Sequence, residues 1–475
     1  MKSKALLYLV ILLEGYIVLA SELIAIRQSI PFVGSGTESI AIIIAAVLMP
    51  LAFGYYAGGR YRPVKVRGKL VTIREKLIRN VINSSILLTL GLSYLSLEIF
   101  YALLTAISIE NRIAQTAIYS FTFLVYPVFL LGQTVPLISN YFSRDTLSET
   151  TGKMLFCSTV GSFGGSIIST LVLMTTIGVN NTVIVNVALL TLLVIMLSKR
   201  SIINIAIMAG VFGLSVALNS NHTMSMFGII ENNNYNTIAI IDVEDEEDSR
   251  ILVMNRTAMS KISADPENHY PYLKYVQHTF FDPLMTNDKV DDILVVGAGG
   301  FSIGLEDTKN QYVFIDIDPS LKRISEESFL KQKLTDNKIF YPEPARAFMR
   351  RDERQYDVIF LDAFSNPNTI PQQLITKEFF ELARSRLRPG GTVVFNTITS
   401  ANFSNRYSVK LDNTIRTVFP NISRQIIIPH DKAKKAYNWD VYGTGNSNVV
   451  YSYFDKQAKS SGTYTDNLNT FPYDQ

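Results

Sequence analysis

The stretch "ILVVGAGGFSIG", Ile293 to Gly304, decides how the second half of the chain is read. Four apolar residues in a row suit a short strand buried on both faces, and glycines then break it. A glycine turn at a strand end lets backbone N–H groups approach a ligand closely, because no side chain blocks the way. Moving outward, "YVFI" runs into "DIDP" at Asp316–Pro319, and "KIF", "DVIFL" and "TVVFN" follow. Helical stretches are expected directly after the glycines and near 319–332, 344–351 and 376–386. Strands alternating with helices predict a parallel sheet with crossovers, and "SRQIIIP" and "NVVYSY" are placed at its edge.

Gly297 and Asp316 have the spacing at which an acid at the end of a second strand takes both ribose hydroxyls. Ser302 stands where a dinucleotide pattern wants its third glycine, which favours a nucleoside ligand without a pyrophosphate. Asp362 ends "DVIFL" and meets the same crevice, since open α/β sheets bind ligands beyond the carboxyl ends of their strands. It reads either as a strand-end turn residue or as a catalytic carboxylate. Upstream, "YNTIAIID" and "RILVMN", separated by the acidic "VEDEEDS", predict a β-hairpin.

The first half differs. A span needs roughly 20 mostly apolar residues. Segments near 5–26, 37–57, 81–107, 114–139, 154–177, 179–198 and, more weakly, 201–219 qualify. The loop "GRYRPVKVRGKLVTIREKLIR" carries eight Lys or Arg against one Glu. That places it, the amino terminus, the loop after Tyr141 and the Lys199–Arg200 pair in the cytoplasm. Seven crossings would put the soluble half outside, whereas the favoured cytoplasmic side requires that the weak 201–219 segment does not cross. Glu14, Glu22, Glu98 and Arg27 are costly within or beside spans and are functional candidates. "GSFGGS" (Gly161–Ser166) reads as close helix packing. The expected organisation is a helical membrane domain (1–219), a linker and hairpin (220–290), an α/β domain (291–456) and a polar tail (457–475). One cysteine, Cys157, excludes a disulfide framework, the histidines lack metal-ligand spacings, and a net charge of +3 speaks against nucleic acid.

"LVVGAGGFSIG", "VFIDIDP", "YDVIFLDAFS" and "LRPGGTVVFN" together resemble the spermidine synthase (polyamine aminopropyltransferase) family, a branch of the methyltransferase-like fold. "SELIAIRQSIPFVG" and "LAFGYYAGGR" resemble the helices of its subgroup with a multi-spanning amino-terminal region. The resemblance implies a multi-pass protein of the cell (inner) membrane. It also implies aminopropyl transfer from decarboxylated S-adenosylmethionine to a diamine, releasing methylthioadenosine. The co-substrate would be S-adenosylmethionine or its decarboxylated form, with no permanently bound cofactor and no metal. By position, Gly297, Gly299, Gly300 and Arg346 would line the nucleoside, Asp316 would hold the ribose with Asp318 beside it, and Asp362 would accept the amine's proton. Tyr272, His278 and Ser365 fall on the acceptor side. Ser365 replaces a second carboxylate, Glu343-Pro344 replaces a Gly-Asp, Leu273 and Lys274 replace a His and a Glu, and Met259 replaces a glutamine. Three readings follow: an aminopropyltransferase with an amine acceptor, a methyltransferase acting on a membrane-delivered substrate, and a nucleoside-binding protein without turnover. Membrane lipid is an expected partner, and a homodimer is left open.

Overall fold

The computed structural model describes residues 4–34, 36–66, 69–142, 147–198, 201–244, 246, 248–265, 269–363, 370–427 and 446–455. Ser365 and the polar tail lie outside them. The chain forms two compact units, Met1–Thr237 and Ile238–Gln475.

Among the described residues of the first unit, six helices are long and apolar enough to cross a membrane: Lys4–Val33, Thr37–Arg60, Arg112–Ser139, Ser148–Thr176, Gly178–Leu197 and Ile202–Met226. The span expected over 81–107 is instead two helices, Ile73–Leu92 and Tyr94–Ala106, bent by 72°. Side chains take over backbone partners at the break, as a broken helix in an apolar setting requires. Ser93 Oγ donates to the Thr89 carbonyl, Gln28 Nε2 to the Leu92 carbonyl at 3.1 Å, and Asn219 Nδ2 to Ser93 Oγ at 2.7 Å. Part of the basic loop forms two short strands. β1 (Val64–Val66) and β2 (Lys69–Val71) pair antiparallel, and Thr72 and Glu75 form a reciprocal cap on the helix that follows.

Gly161 and Gly165 of the fourth long helix are packing residues. A Cβ at Gly161 would lie 2.0 Å from the Leu12 carbonyl oxygen of the first helix. Glu14 is 1% exposed, and buried Arg27 donates through Nε to the Asn233 carbonyl at 2.8 Å. A short strand, β3 (Ile229–Asn232), lies near the end of this unit.

The second unit opens with β4 (Thr237–Asp242), β5 (Arg250–Met254) and β6 (Thr257–Ile262), each antiparallel to the next. The expected hairpin is therefore a three-stranded meander. Its second turn contains no glycine, yet Asn255 and Arg256 have φ of 47° and 65°, the left-handed pair that suits the twist of a tight hairpin.

β7 (Asp292–Val296), β8 (Gln311–Asp316), β9 (Lys338–Pro342), β10 (Tyr356–Leu361), β11 (Leu387–Ser400), β12 (Ser423–Ile426) and β13 (Asn446–Phe454) form one sheet. Their order is β12-β13-β11-β10-β7-β8-β9, and β13 alone runs against its neighbours. This is the α/β arrangement expected of the soluble half. The chain reverses its direction of winding between β7 and β10, which opens a crevice at their carboxyl ends.

One expected element is absent. Residues 297–310 turn directly into β8, with no helix after the glycines. Phe301 is fully buried, with its ring 5.0 Å from that of Phe314 and 5.3 Å from that of Phe340. Holding it there sets a left-handed backbone (φ 57°) that a right-handed helix cannot continue. The helix near 319–332 shortens to Leu321–Ile324 plus one wider turn, whereas Ala345–Arg351 and Lys377–Ser385 form as expected.

Candidate active site

A cleft of about 180 Å³ sits at the switch point, lined among others by Met259, Tyr272, Gly297, Asp316, Arg346 and Asp362. Gly297 brings its two sides together. Its φ is +93°, and a Cβ there would lie 2.3 Å from the Asp362 carbonyl oxygen. Only glycine meets both constraints, so the first strand end and the acid share one space. The backbone also joins them, because the Asp362 N–H donates to the Val296 carbonyl at 2.8 Å.

Asp362 has a partner on each carboxylate oxygen. Asn396 Nδ2 donates to Oδ1 at 2.8 Å, and the Tyr272 hydroxyl donates to Oδ2 at 3.3 Å. Burial pushes the carboxyl up to about 7, with these two hydrogen bonds pulling back toward the charged form. Asn396 is 2% exposed and in turn accepts from Asn448 Nδ2 at 3.2 Å.

Asp316, at the end of β8, is held differently. Backbone N–H groups of Ala298 and Asp318 donate to its two oxygens, both at 3.2 Å. Burial raises this carboxyl to about 6, the nearby Asp318 charge adds to the rise, and the backbone bonds oppose it. The carboxylate keeps acceptor capacity for a ligand hydroxyl. Arg346 reaches the cleft from the helix after β9. Its Nη2 donates to Thr376 Oγ1 at 2.5 Å, while its buried Nε has no hydrogen-bond partner among the described residues.

Residues 272–435 match the family model described as the spermine/spermidine synthase domain. That match lies within the second unit. A polyamine aminopropyltransferase of Vibrio vulnificus is 31% identical over 162 residues, which are 33% of this chain and 52% of that protein. The chain thus spans about half the length of that relative. A polyamine aminopropyltransferase of Oceanobacillus iheyensis is 25% identical over 441 residues, covering 82% of each chain, so that likeness extends beyond the residues the family model matches. The crystal structure of a probable spermidine synthase from Corynebacterium glutamicum superposes with a TM-score of 0.39 at 20% identity, covering 48% of this chain and 80% of that one.

Within the matched residues and the strands before them, the residues singled out from sequence fall into two groups. Gly297, Gly299, Asp316, Arg346, Tyr272 and Asp362 line the cleft. Three others lie beside it. The Gly300 N–H donates to Ser260 Oγ at 2.9 Å. Asp318 is fully buried and accepts from the Ser320 N–H at 3.0 Å, ahead of the short helix. His278 is exposed, 3.2 Å from Asp282, and with Lys274 lines a neighbouring cleft of about 1060 Å³. Asn396 and Asn448 carried no signal in the sequence, since each is one polar residue in a strand and their meeting depends on the antiparallel return of β13 onto β11.

Proposed function

We propose that the second unit transfers an aminopropyl group from decarboxylated S-adenosylmethionine to an amine acceptor. The observation that carries this reading is Asp362, a carboxylate in the switch-point cleft whose proton affinity is raised to near neutrality. The neutral amine attacks the methylene carbon bonded to the sulfonium sulfur. The C–N bond forms as the C–S bond breaks, the electron pair stays on sulfur as the thioether of methylthioadenosine, and the amine's proton passes to Asp362. A base poised near the operating pH is the most effective kind. Asp316 accepts the ribose hydroxyls with its spare lone pairs, and Arg346 Nε donates to the base side of the nucleoside. The names of the relatives, polyamine aminopropyltransferases, agree with this chemistry.

The test is product analysis of the purified full chain supplied with the decarboxylated donor and a panel of amines. Methylthioadenosine formed only when an amine is present supports the reading. S-adenosylhomocysteine formed from S-adenosylmethionine would assign a methyltransferase instead.

We further propose that the first unit anchors the enzyme in the cell membrane with the second unit in the cytoplasm. If the bent pair at Ser93 re-enters rather than crosses, six crossings return the chain to the side of its amino terminus and basic loop. This arrangement places the Lys199–Arg200 pair outside. A fluorescent or alkaline-phosphatase fusion at the carboxyl terminus decides the matter. Phosphatase activity would overturn the cytoplasmic assignment.

A further inference from the structure

We propose that the acceptor is a monoamine, with one basic nitrogen carried on an uncharged hydrocarbon body. The proposal rests on the transferase reading for the nitrogen, and on the lining of the cleft for what lies beyond it. An aliphatic amine nitrogen carries a positive charge at neutral pH. Each such charge taken out of water needs an anionic partner close by. The carboxylates free to serve therefore count the nitrogens that the site accommodates.

Among the described residues, the charged side chains lining the cleft are Asp316, Asp362 and Arg346. Asp362 provides for one nitrogen. Asp316 is assigned to the ribose, and Arg346 is a cation that repels a second one. Most of the remaining lining is apolar. Met254 and Leu273 are each 6% exposed, and Met259, Ile303, Phe360 and Leu374 line the same cleft. The chain that leaves Asp362 adds no charge either, since Ala363 to Thr376 contains no acidic or basic residue.

A longer acceptor would reach the neighbouring cleft, which shares Leu273, Ser302 and Ile303 with this one. That cleft does not supply the missing anion. Asp248, Asp282 and Glu306 line it, but so do Arg250, Lys274 and Lys331. Asp248 lies 3.7 Å from Arg250, and Asp282 accepts from Gln277 Nε2 at 2.7 Å and lies 3.2 Å from His278. A second ammonium group would thus enter a space without net negative charge. A hydrocarbon body gains instead, because it covers apolar surface of Met254, Met259 and Leu273, and methionine side chains adapt to bodies of different shape.

The experiment compares butylamine with the diamine of the same carbon chain on the full-length protein. Methylthioadenosine release from the decarboxylated donor gives kcat/KM for each, expected to favour butylamine by about 100-fold, the scale set by one unpaired charge in an apolar site. Calorimetry with methylthioadenosine present needs no turnover, and there butylamine is expected to bind about tenfold more tightly or better. Met259→Glu adds the missing carboxylate and should move both preferences toward the diamine by about tenfold. Leu273→Glu serves if that variant does not fold. A diamine used or bound as well as butylamine, binding of neither amine, or unchanged preferences in the folded glutamate variant overturns the proposal. Tighter binding of butylamine with no methylthioadenosine formed would refute the transferase reading and leave the monoamine site standing.

Discussion

Two strand ends face each other across the cleft, and both finish in an acid. Asp316, at the end of β8, is gripped by backbone N–H groups of its own loop and of the glycine turn. Asp362, at the end of β10, is gripped by the side chains of Asn396 and Tyr272. Backbone donors cannot be exchanged by mutation and hardly move, so they suit an acid that only has to be present and correctly placed. Side-chain donors come from distant parts of the sequence and can be altered one at a time. They suit an acid whose proton affinity has to be set. The contrast matches the roles proposed for them, holding for Asp316 and proton transfer for Asp362.

The most severe way to break the comparison is Asp362→Asn, expected to lower kcat by about 10²–10⁴-fold while nucleoside affinity, read by calorimetry, stays within a few-fold. Near-normal turnover would mean that Asp362 is not the base. The same variant carries a stability signature of unusual sign. Asp362 titrates at about 7 in the folded chain and near 4 when unfolded. Between those values the folded state keeps a proton that the unfolded state has released, so stability falls as pH rises through the window. Asp362→Asn should therefore melt higher than the parent at pH 8, by roughly 1–2 kcal/mol after allowing for solvent at this half-buried site, and equally below pH 4.

Next in size is Asp316→Ala, expected to weaken nucleoside binding by about 10- to 100-fold, the scale of lost charge-assisted hydrogen bonds. Unchanged affinity would remove the holding role. Asn396→Leu should move the acid limb of kcat/KM up from near 7 by about one unit, cutting activity at neutral pH about fivefold while leaving the alkaline plateau nearly intact. Tyr272→Phe, which loses the longer bond, should move it by only a few tenths of a unit. If Tyr272→Phe proved the larger of these two, the order of the 2.8 and 3.3 Å contacts would not reflect their strengths.

What the sequence made legible was local. "ILVV", "YVFI" and "DVIFL" are apolar runs too short for anything but buried strands, and each appears as one. The crevice followed from their order, because Gly297 and Asp362 end adjacent parallel strands. What it hid was set by contacts far along the chain. The break at Ser93 lies in an apolar run with no proline, and Gln28 and Asn219 supply the partners that stabilise it. The third strand of the meander follows a turn without glycine, so no turn signal announced it. The missing helix after the glycines is decided by burial of Phe301 against β8 and β9. Asn396 looked like the last residue of a strand until β13 was laid alongside.

That missing helix bears on which molecules the cleft refuses. Nucleotides such as ATP and NAD are abundant in cells and share the adenosine portion of the proposed donor. Sites that hold them present the positive end of a helix to their phosphates. Here the chain leaves the glycine turn through Phe301 and folds straight into the next strand, so a phosphate beside Gly297 finds no helix start behind that turn and faces two carboxylates, while the helix start and the cation of this cleft belong to Ala345–Arg351. Leaving that element out weakens the glycine turn as a phosphate cradle, and inhibitors that lie against it are best sought among uncharged or cationic nucleosides.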